Sequence, residues 1–119
     1  MENKAVKISE RLLDYGVEVV KISTKLTKTA AGRLVANQLI RCGTSAGANY
    51  EEACGAQSRA DFIHKLQIVL KEIRESMYWL KLIQKSAMLN ELSVSNLIDE
   101  TKQLSNIIAK SIITAKHGK

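Results

Sequence analysis

Proline is absent from this chain, and Phe, Trp and Tyr together make up only 4% of it, although 45% of its residues are hydrophobic. So little turn-setting and aromatic material argues against a sheet built from many short strands and favours long helices. Long apolar runs are missing too. A charge-free stretch such as Cys42 to Tyr50 falls well short of the roughly 20 residues a membrane span needs. The polar start, Met1-Glu2-Asn3-Lys4, contains no apolar signal core. The expectation is a cytoplasmic protein with no membrane partner.

Cysteine is scarce as well. Cys42 and Cys54 stand 12 positions apart on what reads as one helix, roughly 18 Å at 1.5 Å per residue, which excludes a bridge between them. Adding His64 and His117 gives no spacing suited to a metal. Both cysteines are read as small buried residues, and neither a metal nor a cofactor is expected.

What the chain does have is helical rhythm. At 119 residues it is long enough for one continuous core and too short for two. Ala5, Ile8, Leu12, Tyr15, Val19, Ile22 and Leu26 recur at steps of three and four, marking one face of a first helix over about residues 3–28. Val35, Leu39, Cys42, Ala46, Asn49 and Ala53 mark a second over 33–54, with Gly55 as a left-handed cap and Asn49 as a buried polar residue bonded to Ser45 or across the bundle. Ser58 and Asp61 resemble a capping box opening a third, 58–87, whose core face is Phe62, Leu66, Val69, Ile73, Leu80 and Ile83. The fourth, 93–115, takes Ser93 as N-cap, Leu92 and Leu97 as a hydrophobic staple, and a frayed tail from Ala115. Connections this short force consecutive helices antiparallel. The predicted fold is an all-α, up-down-up-down four-helix bundle occupying residues 1–119 as a single domain.

The net charge of +6 permits an acidic partner. The first and third segments hold most of the excess, with six basic against four acidic residues over 1–28 and six against three over 58–89. On the third helix, His64, Gln67, Lys71, Arg74, Tyr78, Lys81 and Lys85 form a basic stripe with one aromatic in it, a pattern that follows a phosphate backbone and offers Tyr78 for stacking. The first helix has a stripe from Lys4 to Lys28 interrupted by Asp14 and Glu18. A second sector of the third helix holds Ile68, Trp79 and Leu82 with Glu72 and Glu75. An outward Trp among aliphatics reads as an interface anchor, with the carboxylates offered to Arg41 of a neighbouring subunit. Gly43-x-x-x-Gly47 lacks the Lys-Ser or Lys-Thr ending of a phosphate loop and reads as close helix packing.

Catalysis finds no support. A di-metal bundle site requires Glu-x-x-His pairs facing inward, and Glu72-x-x-Glu75 has no histidine. No nucleophile, base and orienting group can be assembled around His64 or His117. The expectation is a non-enzymatic binding module for RNA or DNA. The alternative is a protein-only adaptor.

Ser45-Ala46-Gly47-Ala48-Asn49-Tyr50-Glu51-Glu52-Ala53, then Ser58-Arg59-Ala60-Asp61-Phe62, and Lys71-Glu72-Ile73-Arg74-Glu75-Ser76-Met77-Tyr78-Trp79-Leu80 resemble the bacterial four-helix bundle proteins, also called the 23S rRNA intervening-sequence protein family. Many members read Asn-Ile-Ala-Glu-Gly where this chain has Asn49-Tyr50-Glu51-Glu52-Ala53. The resemblance implies a homo-oligomer, commonly a pentameric ring, and adds a nucleic-acid enzyme to the expected partners. A relative, the accessory protein of diversity-generating retroelements, is a basic pentamer that binds nucleic acid and a reverse transcriptase. The family name records where the genes lie and does not establish RNA binding.

Overall fold

Helix formation starts where side chains meet unpaired backbone N–H groups. Asn3 accepts from the Val6 N–H at 2.9 Å, Thr29 from Gly32 at 2.9 Å and Ser58 from Asp61 at 3.1 Å, and each precedes a helix. The computed structural model describes residues 3–118 and contains α1 (Lys4–Thr24), α2 (Ala30–Cys54), α3 (Arg59–Lys85) and α4 (Leu92–Lys116). Each helix packs only on its neighbours in the order α1-α2-α3-α4, and α4 returns to α1. The result is the up-down-up-down bundle, with a longest dimension of 47 Å.

The core follows the predicted rhythm. Leu12, Tyr15, Val19 and Ile22 of α1 meet Leu39, Cys42 and Ala46 of α2, Leu66, Val69, Ile73, Leu80 and Ile83 of α3, and Leu104 and Ile108 of α4, all essentially inaccessible. Ala5 is exposed, Phe62 is half-buried, and Asn49 is half-buried with its amide donating to the carbonyl and hydroxyl of Ser45 at 2.9 Å. A polar layer crosses the centre. The Tyr15 hydroxyl lies 2.7 Å from Thr101 Oγ1, which itself donates to the Leu97 carbonyl at 2.6 Å, so Tyr15 is the donor between them. Ser76 bridges the Glu72 carbonyl and Cys42 Sγ. Ser23 is the exception, a buried hydroxyl with no partner, and nothing in the fold explains it.

Several boundaries differ from expectation. α1 ends at Thr24, and residues 25–28 form turns. α2 begins at Ala30, three residues before the predicted start, because Thr29 caps it. Gly55 has φ −97° and is not a left-handed cap. A left-handed residue stands instead at the end of α3, Ala87, φ 57°. There the Met88 N–H bonds to the Ile83 carbonyl and the Ala87 N–H to that of Gln84, the paired bonds of a Schellman motif. α4 begins at Leu92, not after a Ser93 cap, and Leu92 is exposed rather than stapled. Glu91 occupies the cap position, where its carboxylate accepts from Lys25 at 2.7 Å and Ser93 at 3.2 Å. The tail expected to fray is helical to Lys116. Cys42 is buried as read, but Cys54 is exposed at the end of α2. Gly43 is needed for close packing, since a Cβ there would meet Val19 at 2.8 Å, whereas one at Gly47 would make only ordinary contact with Leu12.

Candidate functional site

The helix that carries the predicted stripe is held firmly at both ends, by the Ser58 cap and by the Schellman turn. Lys71, Arg74, Tyr78, Lys81 and Lys85 all lie exposed on its outer side. None of the four cations has an ion-pair partner within 4 Å among the described residues. The α1 stripe is different. Arg11 makes a two-armed contact with Glu100, at 3.0 and 2.6 Å, Lys21 pairs with Glu18 at 3.5 Å and Lys25 with Glu91 at 2.7 Å. Half of its six cations are thus tied up within the fold, whereas the α3 stripe has none so paired.

The second sector of α3 is placed differently from the sequence reading. Arg41, expected from a neighbouring subunit, comes from α2 of the same chain and pairs with both Glu72 and Glu75. Glu72 is buried, and Ile68, Trp79 and Leu82 are half-buried along the α2–α3 seam, Trp79 and Leu82 packing against the core. Arg41, bonded also to Gln38 of α2, ties the carboxylates of this sector back to its own chain. The Trp79 indole N–H donates to Glu75 at 3.2 Å. That bond, followed by the Arg41 guanidinium, holds the Glu75 carboxyl below its ordinary range, and Glu75 in turn raises Arg41. Tyr78 stands edge-on to Trp79 with ring centroids 5.0 Å apart and remains 60% exposed.

Sequence reading missed a second surface. Val6, Leu13, Val17 and Val20 are 41–69% exposed on α1, on a face roughly 140° around the helix from its core residues. Their steps of seven, four and three form a second seam, a legible signal that the stronger core rhythm overshadowed. Beside them, between α1 and α2, runs an open groove of about 840 Å³, floored by Gly16, Gly47 and Ala48.

Among the described residues no group of three or more His, Cys, Asp or Glu is placed to hold a metal, and no helix is long and apolar enough to cross a membrane. The fold and its surfaces define a small all-α module with a basic outer helix and an apolar groove. The chain belongs to the 23S rRNA-intervening sequence protein family, whose model matches residues 4–110. It is similar to a crystal structure of a protein of unknown function from the S23 ribosomal protein family of Bacteroides thetaiotaomicron VPI-5482. The two share 32% identity and a TM-score of 0.83, over 88% of this chain and 97% of that one. No curated protein matches the chain.

Proposed function

We propose that this protein is a non-enzymatic, self-associating binding module that holds RNA or DNA along the outer face of α3. The observation that carries the reading is the contrast between the two basic helices. Three of the six cations of the first stripe, Arg11, Lys21 and Lys25, are paired within the fold, whereas Lys71, Arg74, Lys81 and Lys85 are all exposed and none has an ion-pair partner among the described residues. Four cations from Lys71 to Lys85 span roughly 21 Å of helix, enough to meet several consecutive phosphates of one strand. Binding of this kind is electrostatic and largely independent of sequence. Repetition of the stripe on every subunit multiplies the contacts without any new chemistry.

Titration of a single-stranded RNA and a duplex DNA at two salt concentrations tests this. Wild type is expected to bind both more weakly as salt rises. Lys81→Glu with Lys85→Glu should keep the fold while lowering the slope of log affinity on log salt by at least about 1.4. Wild-type affinity and slope in the double variant would show that this stripe is only a solvated face. No binding by wild type at low salt would favour a protein-only adaptor, in which the charge maintains solubility.

A further inference from the structure

The two ends of the bundle core are finished differently. Where α1 and α3 end and α2 and α4 begin, Leu26, Val35, Ile83, Val94 and Leu97 are all buried and close the core. At the opposite end the helices contribute small residues instead, Ala5, Ala53, Ser111 and Ala115, and these line a cavity of about 570 Å³ to which all four helices contribute. Its size falls within the roughly 300–1,000 Å³ of small-molecule sites. The inner wall is core: Ile8, Tyr50 and Ala53 are buried, and Phe62 is left half-buried beside the open space. The rim is basic, with Lys4 and Arg59 both exposed. We propose that this end cavity binds a small aliphatic carboxylate, its head between Lys4 and Arg59 and its chain over Ile8, Ala53 and Phe62. The site is separate from the α3 stripe, and the inference is independent of the reading above.

Three observations select this class of ligand. The first is charge. Among the described residues neither Lys4 nor Arg59 has an ion-pair partner, and no Asp or Glu lines the cavity. Two helix N-termini and two C-termini meet at this end, so their dipoles oppose one another and the local field is left to these two side chains. A guanidinium beside an ammonium matches a single carboxylate head. The second is Tyr50. Its side chain is buried to within 4% yet lines the cavity, and its hydroxyl interacts only with the Cys54 thiol, a weak acceptor. A carboxylate oxygen would be a far better one. The third is the run of small residues. Ala5, Ala53 and Ala115 keep open an apolar space that larger aliphatics fill at the other end, and a hydrocarbon chain gains by leaving water for it.

Cys54 supplies the reporter, because it is exposed and lines the cavity while Cys42 is buried. Alkylation of Cys54 by iodoacetamide, followed by intact mass on the full chain, is expected to slow several-fold in saturating octanoate. Acetate, with the head and no chain, should not protect, and 1-octanol, with the chain and no charge, should protect more weakly. Lys4→Gln with Arg59→Gln should raise the octanoate concentration for half-protection at least about tenfold, the loss of one charge-assisted hydrogen bond. Its protection by 1-octanol should match that of wild type. Ala5→Leu, on an exposed position of the rim, should abolish protection by filling the space. Should it lose helicity by circular dichroism, Thr114→Leu, also exposed on the cavity wall, takes its place. Unslowed alkylation of wild type in octanoate, as binding in the α1–α2 groove would give, overturns the proposal. Equal protection by 1-octanol, or an unshifted half-protection concentration in the double variant, would do the same. Lys81→Glu with Lys85→Glu lies at the other end of α3 and should leave protection unchanged, so this site and the nucleic-acid stripe are read separately.

Discussion

Tyr15 shows how one polar atom is accommodated in this core. Its ring is 1% exposed, and its hydroxyl has Thr101 as acceptor. Burial pushes its pKa up from the ordinary 10.0 to about 12, and burial does the same for Tyr50. A raised pKa means that the unfolded chain loses these protons first. Their contribution to stability is therefore complete below pH 10 and is lost as pH rises through about 12. Tyr15→Phe should flatten the decline of stability over that window relative to wild type, at little cost near neutrality because Thr101 keeps its bond to Leu97. Urea unfolding followed across the window checks this. Parallel declines in the two proteins would show that the Tyr15 proton is not held by the fold.

At the scale of the element, helix ends carry the information that periodicity does not. Ala87 terminates α3 in the left-handed region, where a Cβ costs about 1 kcal/mol and glycine costs nothing sterically. Ala87→Gly should therefore stabilise the protein by up to about 1 kcal/mol, seen as a higher denaturant midpoint with an unchanged slope. An unchanged or lower midpoint would mean that flexibility gained in the unfolded chain cancels the relief. The same end explains what was legible. Heptad spacing placed all four helices and nearly every core side chain, because burial demands one apolar stripe per helix whatever the loops do. It stopped α3 near Ala87, where the chain does turn, but assigned the left-handed cap to Gly55, since Ala87 has no residue-type signature for that conformation. It read Ser93 as a cap because serine favours that position, while Glu91 is held there by Lys25 from the turn after α1, a contact between distant parts of the chain. The α3 stripe was legible as spacing. That Arg11 and Lys25 are paired while the α3 cations are not depends on Glu100 of α4 and Glu91 at its cap position being brought to them by the fold. Arg41 was correctly matched with Glu72 and Glu75 and wrongly given to another subunit, because sequence shows complementary charge and not the chain that supplies it.

The bundle as a whole is closed by its thinnest seam, the one between α1 and α4. That seam joins the two ends of the chain through polar contacts 66, 86 and 89 residues apart, Lys25 to Glu91, Tyr15 to Thr101 and Arg11 to Glu100. The other three seams join helices consecutive in sequence, and α2–α3 is the richest of them. Separation along the chain sets the entropy lost when a contact forms, so structure should accumulate in a fixed temporal order. The α2–α3 hairpin condenses early, and α1 and α4 meet after the rate-limiting barrier. Truncations in the central hairpin, such as Leu39→Ala or Ile73→Ala, should then mainly slow refolding, while Arg11→Ala and Thr101→Ala should mainly hasten unfolding. Stopped-flow chevrons that showed the reverse would put closure of the chain ends before the barrier. In the expected order, Arg11 and Lys25 stay without their carboxylates until Glu100 and Glu91 arrive, so a chain still folding shows more free positive charge along its first helix than the finished bundle does.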